Sequence, residues 1–574
     1  MKYKKDLYHI SKRCLLFSVF LLFIFSACDQ DEFLAEQPLD FLAPSNAFST
    51  PETIIQGISA MQVDVRDNLG FSQSGDDDPA LYGLGTDIGY DGEEPGGLRF
   101  LTDYVSSLTS THAQVAKFWN NSYSLIQKTC ILINAINATD DKIWTSVAEK
   151  NANLGEAMFF RAYAYRILVT LYGNVPLVNS VINYPKTDFV RAPKADIYKL
   201  IEDDLNFAAA NLPVRGKEKA PGRVTQGAAW HYLSEIYLAQ SKFQLSVDAA
   251  SHVINDYGYA LMTQRFGGKL GKDIWGSGDV FFDLFQKGNQ NLTNNTEGIW
   301  IIQYAANITG GGAFRGEYQW GPSYFRIAST PDGKKAFRGV LYNGVYTGYI
   351  DSLGRPVARV RPTNYVVWDV WRSDWNNDIR NAKHNIKRAI YYDAPGSIYD
   401  KTKVDFSKFP AGTRDPVKDT CQYIFPYWLK VATPLEHETE PARTGGGSTH
   451  AAKYAIRLAE TYLLRAEAYL GLNNKVAAAD DINVVRNRAK ATPVTAAQVN
   501  IDYILDERVR ELYSEEQRTI TLMRLGLLVE RTRKYNDNPR SKQLNIQDFN
   551  NLWPIPQAQI DLNVTVKMEQ NPGY

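Results

Sequence analysis

Cysteine is scarce: the 574-residue chain has four, and two of them, Cys14 and Cys28, lie in its first 28 residues. With Cys130 and Cys421 alone left to form a bridge, the chain is held by its core and not by a disulfide framework. Cys130, inside an apolar helical run, reads as a buried small hydrophobe. An excess of charge is also missing, since 63 basic residues balance 63 acidic ones. That leaves no positive footprint for a polyanion and excludes nucleic acid as a partner. The seven histidines are scattered without H-E-x-x-H or comparable ligand spacing, so no metal site is expected, and no cofactor. There is no G-x-S-x-G elbow. Carboxylate pairs of the glycosidase kind meet only in space and stay open at this level.

Long hydrophobic runs are absent too. The longest, residues 15–25, falls well short of the roughly 20 residues that span a bilayer. Lys2, Lys4, Lys5, Lys12 and Arg13 precede it, as in a signal peptide. It ends in Phe25-Ser26-Ala27-Cys28, small residues just before a cysteine, as in bacterial lipoproteins. Residues 1–27 are thus expected to be removed and Cys28 to become a lipidated N-terminus; ordinary cleavage with Cys28 incidental is the alternative. The remaining chain carries 58 basic and 62 acidic residues and opens with a short acidic run, Asp29 to Glu32, expected to serve as a tether or an export signal.

What is present is helical periodicity, over about residues 113–256 and 450–532, with apolar residues at i, i+3, i+4 and i+7. In the first region Trp230, Leu233, Ser234 and Tyr237, then Ser246, Ala250 and Val253, follow tetratricopeptide spacing. A second copy places Tyr462, Ala466, Tyr469, Ala478, Ile482 and Val485 in the same slots, with Arg465 departing at the leucine slot. Small residues let paired helices pack closely. The expected fold is all-α: helix pairs forming one scaffold (about 40–256 and 450–574), interrupted by a loop-rich insertion (about 257–450), and not a continuous solenoid. Strand candidates in the insertion are residues 279–285 and 297–304.

Several stretches together resemble one family: "GEAMFFRAYAYRILVTLYGNVPLV" (155–178), "RLAETYLLRAEAYL" (457–470), "INVVRNRA" (482–489), "ILDERVREL" (504–512) and the terminal "LWPIPQAQIDLN…QNPGY". In this order they resemble the SusD/RagB family, and the resemblance runs from Cys28 to Tyr574. It implies a single domain over 28–574, built on tetratricopeptide-type helix pairs, that carries out no chemistry. The family's members are glycan-binding lipoproteins on the outer surface of Gram-negative bacteria that cap a SusC-like TonB-dependent transporter and deliver oligosaccharide to it. Some serve peptide uptake, which leaves a peptide-binding surface protein as the alternative. One departure is Gln517 to Thr521, where the family usually has an Arg-Trp-x-Asp sequence, so the helix there is expected to end differently.

The residues themselves suit a sugar. A pyranose ring lays C–H groups on an aromatic face, while its hydroxyls need polar partners. Each stacked ring gives ~0.5–1.5 kcal/mol and each hydroxyl a similar net gain, so binding of micromolar to millimolar order is expected. The stretch "GGGAFRGEYQWGPSYF" (310–325) lacks the spacing of a phosphate cradle, and its glycines are expected to keep a loop open around Tyr318 and Trp320, with Arg315 and Glu317 as polar edges. The resemblance places the site in this part of the insertion, which adds Trp275. Asp87, Tyr90, Arg99 and Phe100, in the glycine-rich segment 81–100, are a second set. Core packing is the competing role for each ring. Arg99 and Arg315 fit either a substrate carboxylate or a surface ion pair. Trp300 and Trp230 read as packing residues, and Glu507, Glu511, Glu515 and Glu516 with Arg508, Arg510 and Arg518 as helix-surface pairs.

Overall fold

Helix ends in this chain are written locally. α1 (Pro51–Asn68) begins at Thr50, whose hydroxyl accepts the Thr53 N–H, and Pro51 fills the first turn, where a missing N–H costs nothing. The computed structural model describes residues 47–574 except 76–77, 94–98, 269–277, 343, 351 and 433–446. From Thr50 to Tyr574 these form one compact unit, mostly helical as expected. After α1 come α2 (Ala113–Ala138), α3 (Val147–Tyr172), α4 (Lys194–Asn211), α5 (Gln226–Ala239) and α6 (Phe243–Asp256). Beyond the insertion lie α7 (Leu458–Gly471), α8 (Lys475–Arg488), α9 (Ile501–Leu512), α10 (Arg518–Arg524) and α11 (Leu528–Tyr535).

Each helix from α1 to α8 packs on the next, including α6 on α7 across the insertion. The interruption is therefore one of sequence and not of space, and the expectation of a discontinuous solenoid is corrected. Arg465 supplies part of the reason: it pairs with Asp481 of α8 at 2.7 Å and donates to Ser251 Oγ of α6 at 3.0 Å. Leu464 and Ala468 of α7 pack with Leu238 and Val247 of α5 and α6. Small residues do the close work inside a pair, as where Ser234 and Ser246 hydroxyls meet at 2.9 Å between α5 and α6.

The insertion is made of loops, short helical turns and short antiparallel strands. Among the described residues, β5 (Leu341–Tyr342) pairs with β6 (Val345–Tyr346) and β8 (Ile386–Lys387) with β9 (Tyr427–Trp428) within the insertion; its β7 (Arg361–Pro362) and β4 (Gly298–Ile302) pair with β1 (Gly89–Tyr90) and β10 (Lys453–Arg457) outside it, and β2 (Val175–Pro176) pairs with β3 (Arg191–Ala192) in the scaffold. Residues 297–304 do contain a strand, β4. Residues 279–285 do not: Asp279 accepts the Phe282 N–H at 2.8 Å and caps a short helix, Val280–Leu284. Trp300 of β4 is core, edge-on to Phe71, Phe159 and Tyr163.

Charged residues join the insertion to the scaffold. Arg457, at the end of β10, pairs with Glu297 at 2.5 Å, Glu511 at 2.8 Å and Glu515 at 2.7 Å. Arg380 of the insertion reaches Asp378 at 2.6 Å, Glu507 at 2.8 Å and Glu511 at 3.0 Å. Arg486 adds Asp374 and Glu507 at 2.7 and 2.8 Å. The acidic cluster of α9 is thus buried and paired over long sequence distances, not spread on a helix surface. Burial alone would raise the Glu507 carboxyl, but Arg380, Arg510 and Arg486 outweigh it and bring it to about 2.

Candidate functional site

The 310–325 stretch folds tightly. Arg66 donates to the carbonyls of Gly310 and Gly311 at 2.7 and 3.1 Å, and a Cβ on Gly312, at φ +60°, would lie 2.6 Å from that guanidinium. These glycines admit Arg66 and do not open a loop. A short helix, Gly316–Trp320, then turns Glu317 and Trp320 inward. Trp320 is 1% exposed, its indole N–H donating to Gln73 Oε1 at 2.6 Å and its ring edge-on to Tyr513. It has no face for a ligand. Glu317 is buried and accepts the Arg355 N–H at 3.3 Å. Tyr318 is half-buried, with the Arg315 guanidinium 4.1 Å from its ring centroid and Arg355 at 5.7 Å. Arg355 and Arg326 continue the stack onto Phe325 at 5.8 and 5.9 Å. Arg315 also donates to Ser74 O at 3.1 Å.

The 81–100 set is mostly structural. Asp87 is buried between Arg518 and Arg531, at 2.6 and 2.8 Å. Tyr90 is buried with its hydroxyl 3.6 Å from Cys421 Sγ, and Phe100 is buried against His112 and Trp553. These three are corrected to packing positions. Arg99 takes the ordinary role, an ion pair with Glu93 at 2.7 Å, and Glu93 also holds Arg326 at 2.8 Å. Trp275 and Cys28 lie outside the described residues.

An aromatic surface that sequence reasoning missed lies further on, in "VVWDVWRSDWNNDIR" (366–380). A one-turn helix, Asn364–Val367, and the turn Asp369–Trp371 bury Val366, Val367, Val370 and Trp371, with the Trp371 indole bonded to Val366 O at 2.9 Å. The same geometry turns Trp368 and Trp375 outward, 47% and 38% exposed. Their rings stack at 5.5 Å with 16° between planes. Arg388 braces both, at 5.3 and 4.5 Å from the centroids, while its guanidinium bonds to Val367 O and Asn381 Oδ1. Burial pushes the Arg388 guanidinium down to about 10. Asp374 pins the turn from below, accepting from Arg486 at 2.7 Å and from Thr492 N–H at 2.8 Å. Beside the pair runs a groove of about 590 Å³ lined by Trp375, Asn376, Asn381, Lys383, Lys387 and Tyr391 among others. Ring faces next to amide and ammonium donors suit a polyhydroxylated ring. Among the described residues, no carboxylate lines the groove. The missed signal was the double Trp spacing in an Asn- and Asp-rich segment; Trp371, between the two, shows why type alone could not assign it.

Residues 296–574 match the family model described as the SusD family, and residues 86–238 match a second, described as starch-binding associating with outer membrane. The chain belongs to the SusD family. A SusD-like protein of Formosa agariphila is 24% identical over 97% of this chain and 98% of its own length. A SusD homolog from Bacteroides thetaiotaomicron superposes with a TM-score of 0.67 at 20% identity, covering 95% of this chain and all (100%) of its own. A laminarin-binding SusD-like protein gives 0.64 at 18% identity, over 92% of this SusD-family chain and 100% of that one. These structural likenesses carry the fold. Among the described residues, no helix is long and apolar enough to cross a membrane, and no group of three His, Cys, Asp or Glu could hold a metal ion.

Proposed function

We propose that this protein is a non-catalytic glycan-binding lipoprotein. It is anchored through Cys28 in the outer membrane, facing outward, and hands oligosaccharide to a SusC-like TonB-dependent transporter. The observation that carries the binding reading is the exposed, near-parallel Trp368–Trp375 pair beside a polar groove, in a chain of a family described as starch-binding. The laminarin-binding relative supports carbohydrate as the ligand class. Tyr318 and Arg315, with Arg355 and Phe325, form a secondary contact surface on this reading.

Affinity electrophoresis of protein lacking residues 1–28 against a panel of polysaccharides tests it. Retardation by at least one glycan is expected, with Trp375→Ala weakening it about tenfold, the equivalent of about 1.4 kcal/mol. Tyr318→Ala is expected to have the smaller effect. Binding of peptides but of no glycan would favour the peptide-uptake reading, and release of reducing ends would make the protein an enzyme.

A further inference from the structure

We propose that Glu507 of α9, a residue no ligand touches, is the positioning residue of the Trp368–Trp375 pair. This rests on that pair being the glycan platform. Glu507 is fully buried, and its carboxylate gathers three guanidiniums: Arg380 at 2.8 Å, Arg486 at 2.8 Å and Arg510 at 2.9 Å. Each of them continues to a different point of the segment that carries the rings. Arg510 donates to Val370 O at 2.6 Å, Arg486 to Asp374 at 2.7 Å and Arg380 to Asp378 at 2.6 Å. Trp368 therefore lies two residues before the first tie, and Trp375 between the second and the third.

The segment's own backbone does not place it on the scaffold. The N–H groups of residues 367, 368, 371, 374, 377 and 378 bond to carbonyls only three or four residues back. Arg388 and Asn381 join the two ring-bearing turns to each other, donating to Val367 O at 3.0 Å and Trp375 O at 2.7 Å. Burial of Val366, Val370 and Trp371 holds the segment down, but apolar burial is non-directional. Charge-assisted bonds are directional, so the three arginine ties set where the rings stand. One carboxylate governs all three. Glu507→Gln keeps the shape of this hub but removes the charge that draws three buried guanidiniums together, so the ties loosen at once. Glu511, one turn further along α9, shares Arg380 at 3.0 Å but otherwise serves Arg457 and Arg488, which lead to Glu297.

The test uses protein lacking residues 1–28, well below its melting temperature, with two readouts. One is the near-ultraviolet circular dichroism of the indole pair, taken as the difference between the unaltered protein and Trp375→Ala. The other is affinity electrophoresis against soluble starch, laminarin and polygalacturonate. Glu507→Gln is compared with Arg510→Lys, which keeps the charge beside Glu507 but lacks the fork that reaches Glu507 and Val370 O together. Asp204→Asn is the control, breaking the buried pair with Arg161 at 2.7 Å between α3 and α4. Glu507→Gln and Arg510→Lys are expected to lose the pair's dichroism and to weaken binding of the retained polysaccharide about tenfold, while Asp204→Asn lowers the melt and changes neither. If Glu507→Gln does not fold, Arg510→Lys decides alone. Unaltered dichroism and binding in these variants, with binding lost in Trp375→Ala, would leave the platform standing and overturn the role of Glu507. An equal loss in Asp204→Asn would overturn it too, as general destabilisation. If no polysaccharide is retained, or Trp375→Ala leaves retention intact, the platform reading itself is wrong, and this proposal with it.

Discussion

Trp320 and Trp375 are the same side chain with opposite fates. Trp320 follows a helical turn that points residues 317 and 320 into the core, and Gln73 satisfies its indole. Its truncation to Ala is expected to cost about 3–5 kcal/mol in urea unfolding, whereas Trp375→Ala on the surface should move the midpoint little and reduce binding instead. Asp87 is comparable: burial alone would raise its carboxyl, but Arg518 and Arg531 hold it below the usual range. Asp87→Asn leaves two buried guanidiniums poorly compensated, and a loss of about 3–5 kcal/mol is expected, against less than about 0.5 kcal/mol for Lys199→Ala in the exposed pair with Asp203. Sequence identified Trp300 and Cys130 correctly as core because each sits in a periodic apolar run. It could not do so for Trp320, Tyr90 or Phe100, whose surroundings are irregular and whose burial depends on partners hundreds of residues away.

Elements here are joined by charge as well as by apolar packing. The α9 carboxylates and the arginines of β10, α8 and the insertion form one buried set, so its protonation unlocks several elements together. Glu507 is held near 2 in the folded protein against about 4.3 unfolded, so its contribution is present above the unfolded value and is lost as pH falls toward 2. His231 of α5 acts earlier. Burial lowers its imidazole to about 3 against the opposing pull of Glu235, while the unfolded chain titrates near 6.5. Between those values the unfolded state binds a proton that the folded state does not, so stability falls as pH drops through that window, by about 2 kcal/mol at about pH 5. Thermal melts from pH 7.5 to about 5 should show this decline, and His231→Gln should flatten it. The tetratricopeptide helices were legible from spacing. The strand expected at 279–285 was not correct, because a single Asp279 cap outweighs the local strand-like composition.

At the scale of the molecule, eight helices stack in order despite an insertion of nearly 200 residues between the sixth and seventh. Cys130 and Cys421 are both buried and unbridged. Reductant is therefore expected to leave the melting temperature unchanged; a shift of several degrees would show a bridge in solution. Cys28→Ser in the full chain should move the protein from the membrane to the soluble fraction, and retention at the membrane would remove lipidation from the proposed function.

The sequence by itself determined the family, the helical class, the paired-helix repeats and the loop-rich character of the insertion, because these rest on local periodicity and on motifs contiguous in the chain. The tertiary structure alone decided which aromatics face solvent, that α6 continues into α7, and that the acids of α9 are buried. Each of those depends on what lies across the fold from a residue. The Trp368–Trp375 pair and the groove beside it are of that kind: exposure and ring angle come from segments that meet only once the insertion has packed onto the helices.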